Sequence, residues 1–294
     1  NIIGSFGYRY CRNAQCGSAD DAATAGESAH GHVVTASIAP QDIFDIVNSW
    51  VWPQAAASPT IVATEIPSRG TGFYAGVEYQ SYYHPNNLQF NPAALQNAQA
   101  IGSNWVFFTP TWTYQHASPL LFSSLPGKDV FWSDTVNMVS QARALNLNVG
   151  IFPQPRFAAT AEDFWASAPR DAGWWDNWCN HYRAFVVHHA DLASLAGAQA
   201  MVIGGDWIAP ALPNGTLANG TSSGVPADAE VRWTNIVAEV RQHFSGLVLF
   251  ALPYNNTDIQ APVNLLRNTD GIYLLWFAEI STQPTPNKAD MITE

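Results

Sequence analysis

The chain has 294 residues and a formal net charge of −11 at pH 7, yet only 12% of its residues are charged. An average globular protein has roughly 25% charged residues. Because the net charge is negative and Lys and Arg side chains are scarce, the composition argues against nucleic acid and against an anionic membrane as partners. No apolar run approaches the roughly 18 residues of a membrane span, so no membrane insertion is expected.

Residues 1–52 contain short segments with strand character. The segments "FGYRYCR" and "HVVTASIAP" are separated by a long polar loop. These strands are too few for an independent sandwich, so we predict the C-terminal part of a small β-sandwich accessory domain whose beginning is absent. Residues 53–70 are rich in Pro, Ala and small residues and are predicted to form a linker.

Two cysteines lie close together in this first region. Cys11 and Cys16 flank a short loop, and we predict a disulfide between them. The alternatives are two free thiols or half of a metal site, but no second Cys/His pair has zinc spacing, so no metal and no other cofactor is predicted. A disulfide favours an oxidising environment, so the protein is expected to be secreted or on the cell surface.

From residue 71 apolar runs alternate with helical patterns. Asn91 is predicted to cap the first helix with Pro92 in its first turn, and Ser133 or Asp134 to cap the second. Val231 and Ile236 follow the helical period in a later helix. Short apolar strands alternating with helices predict a parallel sheet covered by helices. The six runs are GFYAGVEY, NWVFFTP, LNVGIFP, QAMVIGG, GLVLFALP and DGIYLLWFAE.

The ends of these strands favour a closed barrel over an open sheet. No glycine-rich phosphate loop follows the first strand. Nearly every strand ends in polar or aromatic residues, which is typical of the (β/α)8 barrel. Only six βα units are present, so residues 71–294 are predicted to form a TIM-barrel domain that is truncated at its C-terminus, and the natural protein is expected to be longer.

Several motifs carry a resemblance to a known family. The segments "GVEYQ", "IGSNWVFFTPTWTYQ", "LNVGIFPQP" and "VIGGDW" resemble the first four strands of the retaining (β/α)8 glycoside hydrolases, most nearly glycoside hydrolase family 113, the mannanase-like group. In that family the fourth strand ends in a Gly-Thr-Glu-like triplet whose Glu is the acid/base. The matching triplet is Gly204-Gly205-Asp206, in which Asp is one methylene shorter.

The resemblance also bears on the regions at either end of the chain. It implies that the nucleophile comes from a seventh strand, beyond Glu294. The first fifty residues resemble the end of a starch-binding-type β-sandwich, with "WVWP" near its last strand.

Three carboxylates are candidate catalytic groups. Hydrolysis with retention needs two carboxyl groups roughly 5 to 5.5 Å apart. Asp206 is the predicted acid, because the neighbouring Trp207 would disfavour its charged form by desolvation. Glu279 and Glu78 are candidates for the second carboxylate. The structural alternatives are a local backbone bond for Asp206, an exposed loop acid for Glu279 and an ion pair with Arg156 for Glu78.

Aromatic and planar polar side chains at the strand ends suit a sugar, which has flat apolar faces fringed by hydroxyl groups. The predicted aromatic platforms are Trp112, Tyr114, Trp207, Tyr254 and Trp276, and core packing is the alternative for each. The predicted hydroxyl-binding residues are Gln154, Arg156, Asn255 and Asn256.

These features predict a secreted carbohydrate-active protein, a retaining glycoside hydrolase whose partner is an oligo- or polysaccharide. The alternative is a non-catalytic barrel that binds glycan or builds a large extracellular surface or filament protein, and a barrel enzyme of another hydrolase type is a third reading. Self-assembly would run through flanking segments that this chain lacks.

Overall fold

A computed structural model describes the backbone of residues 4–8, 19–20, 32–36 and 50–51, together with residues 74–81, 83, 87–254 and 264–276. The chain divides into two compact units, Asn1–Val62 and Ala63–Glu294. The predicted domain boundaries stay predictions.

The first unit contains two short antiparallel strand pairs. Strand β1 (Gly4–Tyr8) pairs with β3 (His32–Ala36), and β2 (Ala19–Asp20) pairs with β4 (Trp50–Val51). Both β1 and β3 overlap segments that were predicted as strands. The β-sandwich assignment stays a prediction, and the predicted Cys11–Cys16 disulfide lies outside the described residues.

The second unit is organised around a parallel sheet of six strands, one for each predicted apolar run. Neighbours in the sheet follow the chain order, as in the wall of a barrel, so the predicted (β/α)8-type fold, incomplete at six units, is confirmed. The strands are β5 (Gly76–Gln80), β6 (Trp105–Thr109), β9 (Asn148–Ile151), β11 (Ala200–Gly204), β12 (Leu247–Pro253) and β13 (Gly271–Leu275).

Successive side chains of each strand enter two different apolar clusters. In β11, Met201 and Ile203 pack in the large cluster that joins the sheet to its helices, whereas Ala200 and Val202 pack in a smaller cluster on the opposite face. This alternation follows from the period of two along a strand. The inner cluster of the curled sheet consists of Trp105, Phe107, Phe152, Ala200, Val202 and Ala251.

Helices cover the outer face of the sheet. The longest, α4, begins after Asp171, whose carboxylate accepts a hydrogen bond from the Trp174 backbone N–H at 2.9 Å. It ends at Gly197, which adopts the left-handed conformation at φ 73°. In the described part of the chain no helix has both the length and the apolarity to cross a membrane. The helices are α1 (Asn87–Ala100), α2 (Trp132–Ala144), α3 (Ala161–Ser167), α4 (Ala172–Ala196) and α5 (Ala229–His243), with 3-10 helices η1 (Asp206–Ala211) and η2 (Asn264–Asn268).

Three predicted helix details are wrong. Helix α1 begins at Asn87, so Pro92 lies inside it, and Asn91 is buried and accepts a hydrogen bond from Tyr79 Oη at 2.6 Å instead of capping. Helix α2 begins at Trp132, so neither Ser133 nor Asp134 caps it. Val231 is 60% exposed, because the buried face of α5 is centred on its neighbours Trp233, Ile236, Val237 and Val240.

A small second sheet, absent from the sequence analysis, extends two of the barrel strands. Strand β7 (Thr111–Ala117) pairs with β8 (Leu120–Ser123) as an antiparallel hairpin and with β10 (Gln154–Arg156) in parallel. The residue that separates β6 from β7 is Pro110, and Pro153 stands close before β10. This sheet carries Trp112, Tyr114, Gln154 and Arg156, so its geometry decides where four predicted site residues lie.

Two leucines of β12 test whether the outer cluster stabilises the fold. Leu252 is 3% exposed and Leu247 is 39% exposed. We expect Leu252→Ala to lower the free energy of unfolding by about 2–5 kcal/mol, because the substitution leaves a cavity in packed protein. The matched change Leu247→Ala should cost less than about 1 kcal/mol. Urea denaturation of both variants measures the difference, and equal costs would contradict the assigned core.

Candidate active site

The carboxyl ends of the parallel strands surround a cavity of about 290 Å³, called here the rim cavity. Four of the predicted site residues line it, and they come from three separate parts of the chain. The cavity therefore brings together the polar strand ends that the sequence analysis singled out. The lining comprises Glu78, Gln80, Thr109, Thr111, Phe152, Gln154, Pro155, Arg156, Gly205, Asp206 and Leu275.

Two glycines direct Asp206 into this cavity. Gly204 and Gly205 have φ values of 92° and 138°, which only glycine adopts readily. A Cβ at Gly204 would lie 2.8 Å from the Ala251 carbonyl oxygen, so the close approach of β12 also requires glycine. The Gly204 N–H donates a hydrogen bond to Tyr182 Oη at 3.0 Å, which fixes the end of β11 to helix α4. Burial raises the pKa of Tyr182, so its hydroxyl stays neutral.

Asp206 itself is exposed to solvent. Its Oδ1 accepts a hydrogen bond from the Trp207 backbone N–H at 2.8 Å, which is the local backbone bond considered as the structural alternative. The indole of Trp207, which was predicted to desolvate this carboxylate, is itself buried.

The prediction that Trp207 is a sugar platform is therefore corrected. Trp207 is 6% exposed and its ring contacts Tyr182 at 5.6 Å and Phe157 at 6.0 Å between centroids. Its carbonyl oxygen accepts a hydrogen bond from Trp165 Nε1 at 2.7 Å. Trp207 supports the loop that carries Asp206, and its ring faces are not available for stacking on a ligand.

Tyr114 and Trp112 are also packing residues. Tyr114 is 1% exposed and stacks on Phe122 with ring centroids 3.9 Å apart, and burial raises the pKa of its hydroxyl well above the ordinary value. Trp112 is half-buried against Phe185 and His188. Both rings belong to the hairpin and pack onto the helices, because the alternation of β7 turns them away from the cavity.

Arg156 and Gln154 both line the rim cavity, and their predicted role in binding hydroxyl groups stays a prediction. Arg156 Nη1 donates a hydrogen bond to the Lys128 carbonyl oxygen at 2.9 Å. The segment that presents this carbonyl is organised by Asp129, which is fully buried and accepts hydrogen bonds from the Thr111 and Thr113 hydroxyls at 2.6 and 3.0 Å. No local sequence pattern marks Asp129, because its partners Thr111 and Thr113 lie 18 and 16 residues away in β7.

Glu78 lies where the two outermost strands of the sheet approach each other. Tyr273 Oη donates a hydrogen bond to Glu78 Oε1 at 2.6 Å, so β13 contacts β5 across the opening of the curled sheet. Burial raises the pKa of Tyr273, and the adjacent carboxylate raises it further. The ion pair with Arg156 that was considered for Glu78 is replaced by this neutral donor.

The last two predicted aromatic platforms form an exposed pair. Tyr254 and Trp276 follow β12 and β13, and their rings stack with centroids 4.7 Å apart at an interplanar angle of 4°. They are 43% and 59% exposed. They do not line the rim cavity, so any contact with a sugar would be outside it. Glu279, Asn255 and Asn256 lie outside the described residues, and their predicted roles stay predictions.

The geometry can support acid–base chemistry on a polar, uncharged ligand. One carboxylate, Asp206, lines the cavity and is exposed to solvent, and a second, Glu78, accepts a hydrogen bond from a tyrosine hydroxyl. A guanidinium and a carboxamide supply planar hydrogen-bonding groups beside them. Among the described residues no group of three or more His, Cys, Asp or Glu side chains has the arrangement of a metal site.

The model of Glycoside Hydrolase Family 113 matches residues 89–263, which is more than half of the chain. The chain belongs to this family. None of the curated proteins matches it. The family assignment confirms the resemblance that the strand motifs carried, whereas the resemblance of the first fifty residues to a starch-binding sandwich is not confirmed.

Two solved structures of the same family share the fold. A complex of a GH113 β-1,4-mannanase is 17% identical, covers 68% of this chain and 60% of its own, and has a TM-score of 0.52. Another GH113 β-1,4-mannanase structure has the same identity and coverage with a TM-score of 0.51. The GH113 β-mannanase from Alicyclobacillus acidocaldarius is 18% identical over 63% of this chain and 54% of its own, with a TM-score of 0.45. The chain thus spans 60% or less of the length of these structures.

The hydroxyl of Tyr182 is expected to hold Asp206 in place through the backbone of Gly204. Tyr182→Phe leaves the buried Gly204 N–H without its acceptor, so the free energy of unfolding should fall by about 1–3 kcal/mol. Tyr74→Phe is the matched control, because Tyr74 is 62% exposed, and its effect should stay within about 0.5 kcal/mol. Chemical denaturation measures both changes. A Tyr182→Phe variant as stable as the wild type would show that this bond does not support the β11 end.

Proposed function

We propose that the protein is a retaining glycoside hydrolase that cleaves a β-mannan-type polysaccharide, with Asp206 as its acid/base. One observation carries the proposal: Asp206 opens into the cavity that also contains Glu78, Gln154 and Arg156. Membership of Glycoside Hydrolase Family 113 supports the reaction class, and the β-mannanases of similar fold support the substrate class.

The chemistry requires two carboxyl groups with opposite roles. Asp206 in its protonated form donates a proton to the glycosidic oxygen, while a second carboxylate attacks the anomeric carbon and the C–O bond to the leaving sugar breaks. Asp206, now ionised, then takes a proton from water as that water attacks the anomeric carbon and releases the second carboxylate. The family resemblance implies that this second group comes from a seventh strand beyond Glu294, and Glu78 is the alternative candidate among the described residues.

Two features favour a second candidate function, a barrel that binds glycan without cleaving it. Asp206 is one methylene shorter than the Glu that the family resemblance implies. It is also exposed to solvent. A rim cavity with hydroxyl-binding groups but without an effective proton donor would hold a polysaccharide and leave it intact.

The extracellular location belongs to the same proposal. It is supported by the size of a polysaccharide substrate and by the predicted Cys11–Cys16 disulfide. Self-assembly through flanking segments stays a prediction.

Replacing Asp206 by Asn tests the acid role directly. With the intact protein and β-1,4-linked manno-oligosaccharides, Asp206→Asn should lower kcat by about 10²- to 10⁴-fold, because the amide cannot donate the required proton. An aryl mannoside with a strongly acidic leaving group needs little protonation, so bond cleavage should suffer far less on that substrate. The control Asp191→Asn makes the same change at an exposed position near the end of α4 and should leave both rates unaltered.

The outcomes separate the two candidate functions. If wild type and Asp206→Asn release sugar at the same rate, Asp206 is not the acid. If the wild type binds manno-oligosaccharides and releases no product from either substrate, the glycan-binding function is correct.

A further inference from the structure

The turn formed by residues 125–129 lies between strand β8 and helix α2 and is called here the Asp129 turn. The Leu125 carbonyl oxygen accepts hydrogen bonds from the Lys128 and Asp129 N–H groups at 3.1 and 2.9 Å. The Leu125 N–H donates in return to Asp129 Oδ2 at 2.8 Å. The turn is therefore closed upon itself, and its closure depends on the Asp129 carboxylate.

The same carboxylate anchors the turn to strand β7. Asp129 is fully buried, which is unusual for an acidic side chain. It accepts hydrogen bonds from the Thr111 hydroxyl at 2.6 Å and from the Thr113 hydroxyl at 3.0 Å. A buried carboxylate is costly unless hydrogen-bond donors surround it in this way. Because Thr111 and Thr113 lie on one face of the strand, the carboxylate holds the turn at two points of β7.

The Lys128 carbonyl is the group through which the turn contacts the other strand ends. Its oxygen accepts hydrogen bonds from Arg156 Nη1 at 2.9 Å and from the Tyr83 N–H at 3.2 Å. Tyr83 follows β5, and Arg156 is the last residue of β10. The Asp129 turn therefore connects segments that follow the first, second and third strands of the barrel.

The orientation of Arg156 bears on binding at the rim cavity, which this side chain lines. A guanidinium is planar and carries five N–H donors in fixed directions, so a bond that holds one donor restricts where the others point. A long side chain that is already held in place does not have to be ordered when a ligand binds. That ordering weakens affinity by about two- to tenfold.

We propose that Asp129 is a positioning residue for polysaccharide binding, which orients Arg156 at the rim cavity through the Lys128 carbonyl. The inference rests on the proposed function and adds to it a residue outside the cavity that controls substrate affinity. Asp129 does not belong to the lining of the rim cavity, so its effect on a ligand must pass through other groups.

Replacing Asp129 by Asn is the first test, because the amide supplies one acceptor oxygen where the carboxylate supplies two. With the intact protein and manno-hexaose, we expect KM to rise about three- to tenfold while kcat stays within about twofold, the pattern of a lost contact that binds ground state and transition state equally. Asp191→Asn, at an exposed position of α4, is the matched control and should alter neither constant.

A double variant distinguishes a positioning role from a purely structural one. Arg156→Met removes the guanidinium and should raise KM by about tenfold or more. If Asp129 acts through Arg156, the double variant Asp129→Asn/Arg156→Met has the KM of Arg156→Met alone. A double variant whose KM rises by the product of the two single changes would overturn the inference, as would an unaltered KM in Asp129→Asn.

A milder change keeps the inference testable if Asp129→Asn does not fold. Thr113 donates to both carboxylate oxygens of Asp129 and does not line the rim cavity. We expect Thr113→Val to raise KM by about twofold or more when Arg156 is present and to have no effect on KM in Arg156→Met. Thr234→Val on α5 removes a hydroxyl that bonds only within its own helix and is the matched control. A rise in KM that persists without Arg156, or no rise at all, would contradict the positioning role.

The chemical reactivity of Arg156 separates failure of this inference from failure of the proposed function. Phenylglyoxal condenses with guanidinium groups, and mass spectrometry of the peptide that contains Arg156 gives the rate at this residue. Release of the side chain from the Lys128 carbonyl should raise the rate about two- to tenfold in Asp129→Asn and in Thr113→Val. If the wild type neither hydrolyses nor binds manno-hexaose, the proposed function fails and this rate decides. A faster reaction then supports the orientation of Arg156 by Asp129, and an unaltered rate overturns it.

Discussion

Both faces of the parallel sheet are covered by apolar side chains, and this double burial governs where polar groups can lie. Alternate residues of β6, β11 and β12 enter the outer cluster under the helices and the inner cluster inside the curl. Polar side chains are excluded from most of each strand as a result and collect at the ends. Because the strands are parallel, their carboxyl ends share one rim, and chemistry in this fold is confined to that rim.

The two edge strands of the sheet, β5 and β13, show where polar groups lie at the open side of the incomplete barrel. Glu78 lies on the inner side of β5, and its bond to Tyr273 of β13 connects strands that are 195 residues apart in the chain. On the outer side of β13, Ile272 and Leu274 are 49% and 40% exposed. Glu78 therefore lies at the point where the apolar inner cluster ends and the polar rim of the barrel begins.

Much of this arrangement could be predicted from the sequence, because short apolar runs that alternate with helical patterns are typical of parallel strands buried on both faces. The same reasoning placed Glu78, Gln154, Arg156 and Asp206 at one rim, where the structure brings them together. The family resemblance was carried by the same strands.

The roles of the aromatic residues at the strand ends could not be predicted in this way. A tryptophan or tyrosine has the same sequence signature whether it stacks on a ligand or packs beneath a loop. Trp207 and Tyr114 are buried because the hairpin β7–β8 and helix α3 fold over them, and neither element was predicted. The capping pattern from Thr160 to Asp163 was the available signal for α3. The support that Tyr182 and Asp129 give to the site depends on contacts between distant segments, which no local pattern records.

In the proposed function, Asp206 lies beside the glycosidic bond of the polysaccharide that is cleaved. A crystal structure of the intact protein with a manno-oligosaccharide bound tests this most directly. We expect a glycosidic oxygen within roughly 2.6–3.2 Å of an Asp206 carboxylate oxygen, with a sugar residue in the rim cavity. An oligosaccharide bound elsewhere, with the rim cavity filled only by water, would contradict the proposal.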